Sequence, residues 1–169
     1  AWLAHGIHFN NSELKALSKH GVGIAHCPNA NMRLGSGICP VPKMLEQGIK
    51  VGIGVDGSAS NDSGHILGEL RQGLYLARVD GGAEAMSAMD ALELGTWRSA
   101  ELIGRDDIGR IAAGFCGDCA LFPVHDLYSN GCENAVDALL ICHPRQVSEL
   151  IIGGNIRINN GFLSSIYSV

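Results

Sequence analysis

Three short apolar segments of this chain each end in a residue that can bind a metal ion or move a proton. The segments are residues 2–4, 22–25 and 51–55, and the residues that follow them are His5, His26 and Asp56. Imidazole and carboxylate side chains are suitable ligands for zinc or iron. Any one of them without context is more often structural, because a strand-end histidine is commonly hydrogen bonded and an aspartate before Gly-Ser commonly forms a turn. Their shared position predicts a common site.

The elements around these residues determine whether they can meet. The three segments are continuous apolar runs, which are typical of parallel strands covered on both faces. A helix capped by Asn11 or Ser12 and ended by Gly21 separates the first two, and a loop with a short helix around Met44 and Leu45 separates the last two. Repeating βαβ units indicate a parallel sheet or barrel. Barrels place their active sites at the carboxyl ends of the strands.

The rest of the chain divides at about residue 114. Before it, Ile66, Leu70 and Leu74 recur at helical spacing, and a capping box at Ser87 begins a second helix that we expect to continue to Gly104. After it, strands are predicted at 120–122, 138–142, 150–152 and 156–158, with glycine-rich turns between the last of them. We therefore predict an α/β domain over 1–113 and a small β subdomain over 114–169.

Three motifs resemble those of the amidohydrolase superfamily, in its chlorohydrolase and deaminase branch. Residues 54–62 (GVDGSASND) resemble the strand 8 motif, 26–37 (HCPNANMRLGSG) the strand 7 motif, and 4–8 (AHGIH) the strand 6 motif. Their order and spacing agree with the family. The stretch from Asp56 to Gln72 is most similar to the 8-oxoguanine deaminase group, which is close to the triazine aminohydrolases. The resemblance implies strands 6 to 8 of a (β/α)8 TIM-type barrel, with their helices, and part of a β-sandwich.

The resemblance also implies a function and roles for four residues. The family hydrolyses a C–N bond of a cyclic amidine at one divalent metal ion, with zinc the expected ion and iron the alternative. Asp56 matches the position that ligates the metal and accepts a proton from the attacking water, and His5 matches the position that orients that water. His26 and Asn31 border the substrate pocket. We expect Ser60 and Asn61 to fix the strand 8 loop instead.

The chain does not contain the whole set of ligands that a catalytic zinc site needs. It has no His-x-His pair and begins at Ala1 directly before an apolar segment. We therefore expect a C-terminal portion of a longer protein, inactive by itself, whose N-terminal half supplies the remaining ligands. An open sheet edge also favours association with that half or with another copy, so we expect a homo-oligomer.

Composition narrows the class of protein. The chain has 169 residues, 46% of them hydrophobic, and a formal net charge of -5. It has no basic stretch suited to nucleic acid and no apolar run near the roughly 20 residues that cross a bilayer. Six cysteines in a chain of this size indicate reduced thiols and a cytoplasmic protein. A small heterocyclic substrate is expected, purine-like or an s-triazine. A non-catalytic module of the same fold and an unrelated α/β domain remain as alternatives.

Overall fold

Two sheets, one parallel and one antiparallel, are joined by a run of helices. The computed structural model describes residues 1–124, 127–142 and 146–164. In chain order, the elements are β1 (Trp2–Ala4), α1 (Asn11–Lys19), β2 (Gly23–His26), α2 (Pro28–Arg33), α3 (Val41–Glu46), β3 (Val51–Ile53), α4 (Ile66–Gly81), α5 (Ala88–Leu94), α6 (Trp97–Leu102), β4 (Cys119–Leu121), α7 (Ala135–Asp137), a π-helical segment (Ala138–Cys142), β5 (Glu149–Ile152), β6 (Asn155–Asn159) and β7 (Phe162–Leu163).

The first sheet has the predicted parallel arrangement, in the order β1-β2-β3. Leu3 lies opposite Ile24, and Ile24 lies opposite Val51 on the next strand. β3 ends at Ile53, two residues before the predicted end, although the Gly54 amide still donates to the His26 carbonyl at 2.8 Å. All three strands run in one direction, so their carboxyl ends lie at one edge of the sheet.

The main hydrophobic core lies between this sheet and its helices. Its largest fully buried apolar side chains are Leu14, Ile24, Met44, Leu70, Leu74, Leu94, Leu140, Val41 and Val51. Helix α1 places Leu14 in this core, as predicted, but its cap is Asn10, whose side chain accepts from the amides of Ser12 and Glu13. On α4, Leu70 and Leu74 are buried while Ile66 is 42% exposed, so only part of that predicted apolar stripe faces inward.

The prediction of a single helix from Ser87 to Gly104 is wrong, because this segment forms two helices, α5 and α6. The capping box of Ser87 and Asp90 is confirmed at its start. A Cβ on Gly95 would lie 2.7 Å from Leu70, so the backbone approaches α4 closely there. The break lets the Ser99 hydroxyl accept from the Ile53 amide at 3.0 Å, which pairs one N–H of the edge strand β3.

The second sheet is antiparallel, in the order β4-β5-β6-β7. It confirms three of the predicted strands, with shifted ends. The strand predicted at 138–142 is wrong, because these residues form a π-helical segment that continues α7. Asn134 caps α7 by accepting from the amides of Val136 and Asp137, and Leu140 packs into the main core. A short apolar run does not by itself distinguish a buried strand from a buried helix. The helix cap at Asn134 is the local feature that indicates a helix here.

No helix within the described part of the chain combines the length and apolar character that crossing a membrane requires.

Candidate active site

The carboxyl end of β1 presents His5 in an unusual backbone conformation. His5 and Gly6 both have φ 67°, in the left-handed region that residues with a side chain rarely adopt. A Cβ on Gly6 would lie 2.8 Å from Ile24, so this tight turn requires glycine next to His5. The turn directs the chain away from the sheet immediately after His5. Non-glycine residues held in this region are concentrated at functional sites.

Helix α2 fixes the orientation of the His5 ring. The segment after His26 was expected to be a loop, but it forms a helix from Pro28, a residue favoured in the first turn because its φ is already helical. Asn31 on this helix is 1% exposed, and its Oδ1 lies 2.8 Å from His5 Nδ1. An amide oxygen can only accept, so this contact is a hydrogen bond in the tautomer whose Nδ1 carries the proton. In that tautomer, Nε2 is the ring nitrogen with a free lone pair and can accept a hydrogen bond.

The carboxyl end of the third strand segment presents Asp56 with a matching backbone geometry. Asp56 has φ 63°. Three non-glycine residues have positive φ among the described residues, and His5 and Asp56 are two of them. The Ser60 hydroxyl donates to Asp56 Oδ2 at 2.7 Å. This hydrogen bond, then the Gly57 amide and the nearby His5, hold the pKa of the Asp56 carboxyl below its ordinary value. Asp56 is therefore an anion at neutral pH.

Asn61 holds the loop that follows Asp56. Its Nδ2 donates to the Val55 carbonyl at 2.7 Å, immediately before Asp56. The expected structural role of Ser60 and Asn61 in this loop is confirmed by these bonds, because one hydroxyl and one amide tie the loop to the strand end.

His5 and Asp56 come together at the same edge of the sheet. His5 Nε2 lies 3.9 Å from Asp56 Oδ2, and the two side chains are 37% and 31% exposed. Both side chains are therefore partly open to solvent. Asn31 binds the His5 ring and Ser60 binds the Asp56 carboxylate. At this spacing the imidazole and the carboxylate can contact the same small molecule, such as one water.

His26 is buried, unlike His5 and Asp56. It is 1% exposed and borders Gly73 of α4. Burial, and secondarily the charge of His5, lower the pKa of His26 to about 4, so its ring is neutral at pH 7. His26 Nδ1 and Asn31 Nδ2 have no hydrogen-bond partner among the described residues. Unpaired polar atoms in a protein interior call for an explanation, and they make this region more polar than the surrounding core.

The donor types at this edge fit a divalent metal ion, but they supply only part of a site. Asp56 offers an ionised, partly exposed carboxylate, and His5 offers an imidazole nitrogen, and both groups are suitable for zinc. Over residues 1–124, 127–142 and 146–164, no group of three or more His, Cys, Asp or Glu side chains could hold a metal. A catalytic zinc ion normally has three protein ligands, so Asp56 fits as one member of a larger set.

A cleft of about 780 Å³ lies elsewhere, between the parallel sheet, the helices α4 to α6 and the second sheet. Its walls are mainly apolar and include Ile53, Leu70, Leu102 and Ile151, but none of the four predicted site residues. The cleft is therefore separate from the His5–Asp56 edge, although Ser99, Arg110 and Asp118 add a few polar groups to its walls.

Comparison with known proteins agrees with the motifs at the three strand ends. Residues 1–157 match the model of the amidohydrolase family. The chain is 45% identical to the 8-oxoguanine deaminase of Pseudomonas aeruginosa over 98% of its own length and 37% of that protein. It is 27% identical to an adenosine deaminase structure with bound zinc from Xanthomonas campestris, with a TM-score of 0.93 over 98% of this chain and 38% of that one.

A third similar protein acts on a different heterocycle. The structure of an Arthrobacter aurescens atrazine chlorohydrolase mutant, complexed with zinc and atraton, is 31% identical and superposes with a TM-score of 0.91 over 97% of this chain and 37% of that one. The chain thus spans a little over a third of the length of each of these proteins.

Proposed function

Because this chain belongs to the amidohydrolase family, we propose that it forms the His5–Asp56 side of the active site in a hydrolytic deaminase of a purine-like heterocycle. The observation that carries the proposal is the approach of His5 Nε2 to within 3.9 Å of Asp56 Oδ2 at an open edge of the parallel sheet. The two side chains are 37% and 31% exposed there, so one water can reach both of them.

The two side chains have complementary chemistry. A bound divalent metal, zinc or alternatively iron, lowers the pKa of a water to about 7 and so supplies a nucleophile at neutral pH. Asp56 is a candidate ligand and, as an anion, can accept a proton from the attacking water and later donate it to the amino group, which then leaves as ammonia. His5 Nε2 can hold the attacking water by accepting a hydrogen bond. When protonated, it can stabilise developing negative charge.

Asn31 and His26 support this arrangement from the core side. Asn31 fixes the His5 tautomer and ring orientation through the 2.8 Å bond to Nδ1. Such oriented partners raise the basicity of the ring and hold it in place. Both residues are 1% exposed in this chain. Direct contact of Asn31 or His26 with substrate stays a prediction, for which the buried unpaired Nδ2 and Nδ1 atoms supply suitable hydrogen-bonding groups.

The substrate we favour is 8-oxoguanine, since the 45% identical relative is a deaminase of that base. Attack at the ring carbon that carries the exocyclic amino group, followed by loss of ammonia, would replace the C–N bond with C–O. An s-triazine is the second candidate, because the chlorohydrolase structure is also similar over nearly the whole chain. A non-catalytic module would have the same fold and no turnover.

Three further features of the proposal concern the surroundings of the site. Residues outside this chain, in the rest of the same protein, would supply the remaining metal ligands. The open edges of a three-stranded parallel sheet favour association with that part and with a second copy, so we propose a homo-oligomer. We propose a cytoplasmic location, in agreement with the buried thiols Cys27 and Cys39, whose pKa values are raised by burial to about 11 and about 12.

The test measures ammonia release by the protein as its gene encodes it, with zinc supplied, on 8-oxoguanine, guanine, adenosine and an amino-s-triazine. We expect turnover of 8-oxoguanine above the others and loss of activity after chelation, with recovery on return of zinc. Absence of turnover on every compound by metal-loaded protein would favour the non-catalytic module.

The 169-residue chain is tested alongside as a separate sample. We expect it to bind zinc weakly and to release no ammonia, because a single carboxylate ligand cannot replace a complete site. Turnover by this chain alone would contradict the proposed division of the site.

A further inference from the structure

A buried carboxylate lies behind the two strand ends that carry the candidate catalytic residues. Glu69 projects from α4 and is 0% exposed. A buried charge is costly unless other groups compensate it. Within the described ranges no cation forms an ion pair with Glu69. Its charge is instead compensated by hydrogen bonds from two asparagines.

The two oxygens of Glu69 accept three hydrogen bonds. The Asn29 backbone amide donates to Oε2 at 3.1 Å, and the Asn29 side chain donates to Oε1 at 2.6 Å. The Asn61 side chain donates to the same Oε1 at 2.6 Å. Charge-assisted bonds of this kind are stronger than neutral ones. Glu69 therefore connects α4 to the segment after β2 and to the segment after β3.

The two asparagines that bind Glu69 form two arms of this connection, Asn29 on one side and Asn61 on the other. Each arm is linked to one candidate catalytic residue. Asn29 lies on α2, which also carries Asn31, the partner of His5 Nδ1. Asn61 donates through the same Nδ2 to the Val55 carbonyl, one residue before Asp56. A displacement of either arm would therefore move His5 or Asp56.

We propose that Glu69 is a positioning residue that sets the spacing between His5 Nε2 and Asp56 Oδ2. The inference rests on the proposed function for its catalytic consequence. Only a carboxylate meets the requirement, because all the groups that face it are N–H donors. A glutamine in its place would offer one acceptor and would direct its own NH₂ at a donor. The geometry thus predicts that removing the charge of Glu69 weakens its hydrogen bonds to both Asn29 and Asn61.

The first experiment compares E69Q with D80N in the metal-loaded protein as its gene encodes it. Asp80 lies on the same helix but is exposed, so D80N removes the same charge without touching the network. We expect E69Q to lower kcat about 10- to 100-fold, as loss of supporting hydrogen bonds does at other metal sites. KM for 8-oxoguanine should stay within about threefold, because Glu69 is 0% exposed and does not itself contact substrate, and D80N should match the wild type.

A double-mutant cycle separates positioning from a general loss of stability. We expect N31A to lower kcat by itself, and E69Q combined with N31A to cost much less than the product of the two separate losses, because both changes disturb the same orientation of His5. Fully multiplicative losses would overturn the proposed route through Asn31, and an E69Q enzyme with wild-type kcat would overturn the positioning role itself.

A second variant and a direct readout cover the case in which E69Q does not fold. N29A removes one side-chain donor and leaves the carboxylate in place, so we expect a smaller fall in kcat than for E69Q. Nitrogen-15 NMR of histidine-labelled protein should show His5 protonated at Nδ1 in the wild type and a tautomer mixture in N29A. An unchanged His5 spectrum in N29A would overturn the inference. This readout stands even if the wild type proves not to be a deaminase, because it needs no turnover.

Discussion

The parallel and antiparallel sheets of this chain are built from similar numbers of short strands, yet they differ in how they are held. In the parallel sheet, Ile24 of β2 and Val51 of β3 are 0% and 1% exposed, and only the edge strand β1 is exposed along its length. In the antiparallel sheet, β7 is exposed throughout, and Phe162 is 78% exposed. Packing fixes the first sheet, whereas hydrogen bonds and turns fix the second.

This difference bears on where chemistry can occur. Two left-handed residues, His5 and Asp56, are kept in place at the ends of β1 and the third strand segment because the packed core and the Asn31 and Ser60 bonds surround them. Such conformations persist only where their surroundings determine them. The second sheet has one such non-glycine residue, Asn160, in a hairpin turn where asparagine commonly adopts this conformation.

The largest expected effect is the loss of activity in D56N. The amide keeps the size of the side chain but removes the negative charge and the proton acceptor, so we expect kcat/KM on 8-oxoguanine to fall by at least about 10³-fold. The matched control is E133Q, which changes an exposed carboxylate between β4 and β5 and should retain wild-type activity. Equal effects of the two variants would remove the functional distinction between the regions.

The next effect concerns stability in the packed region. Leu74 is 0% exposed on α4, and L74A should lower the free energy of unfolding by about 2–5 kcal/mol through the lost burial and the cavity left behind. Urea denaturation of the encoded protein, followed by far-ultraviolet circular dichroism, measures this. A loss below about 1 kcal/mol would show that the core around the parallel sheet is not tightly packed.

The pH dependence of stability is a second measure of burial around the parallel sheet. His26 has a pKa lowered from 6.5 to about 4 by burial. The unfolded state therefore binds a proton that the folded state does not, and stability falls as pH decreases from about 6.5 towards 4. One pKa unit corresponds to about 1.4 kcal/mol, so the total loss approaches about 3 kcal/mol.

Unfolding measurements at pH 7 and pH 5 on wild type and H26N check this expectation. The asparagine does not titrate, so the fall in stability between the two pH values should be smaller in H26N. The same slope in both proteins would mean that His26 takes up protons in the folded state as readily as in the unfolded one.

The smallest effect is expected in the second sheet. Phe162 is 78% exposed on β7, so F162A should change the free energy of unfolding of this chain by less than about 0.5 kcal/mol. The effect of F162A on the free energy of unfolding is measured both in the 169-residue chain and in the protein as its gene encodes it. A much larger loss in the encoded protein would show that residues outside this chain cover β7.

The meeting of two candidate site residues was predictable from local sequence. His5, His26 and Asp56 follow apolar runs, and a parallel arrangement requires such ends to lie together, which the structure confirms for His5 and Asp56. The contribution of Asn31 to the His5 tautomer was not predictable, because it depends on α2, a helix of six residues that the glycine- and asparagine-rich sequence concealed. The role of Glu69 was missed because one glutamate on an amphipathic helix gives no sign of burial.

The errors in the fold have a related cause. Residues 138–142 are an apolar run of a length that suits a strand, but contacts with α4 and α5 favour a helical segment. The helix expected over 87–104 is interrupted where Gly95 meets Leu70, a contact between residues 25 positions apart in the sequence. Intrinsic preference is weak next to such packing.

The sequence by itself determined the three parallel strands, the helices α1 and α4, the residue types at each strand end and the family they resemble, since these depend on periodicity, capping and local motifs. Only the tertiary structure decided which of those side chains face one another, because the 3.9 Å between His5 and Asp56 and the burial of Glu69 arise from segments far apart in the chain. Distances between such segments are set by packing and hydrogen bonds across the core, and no local pattern in the sequence encodes them.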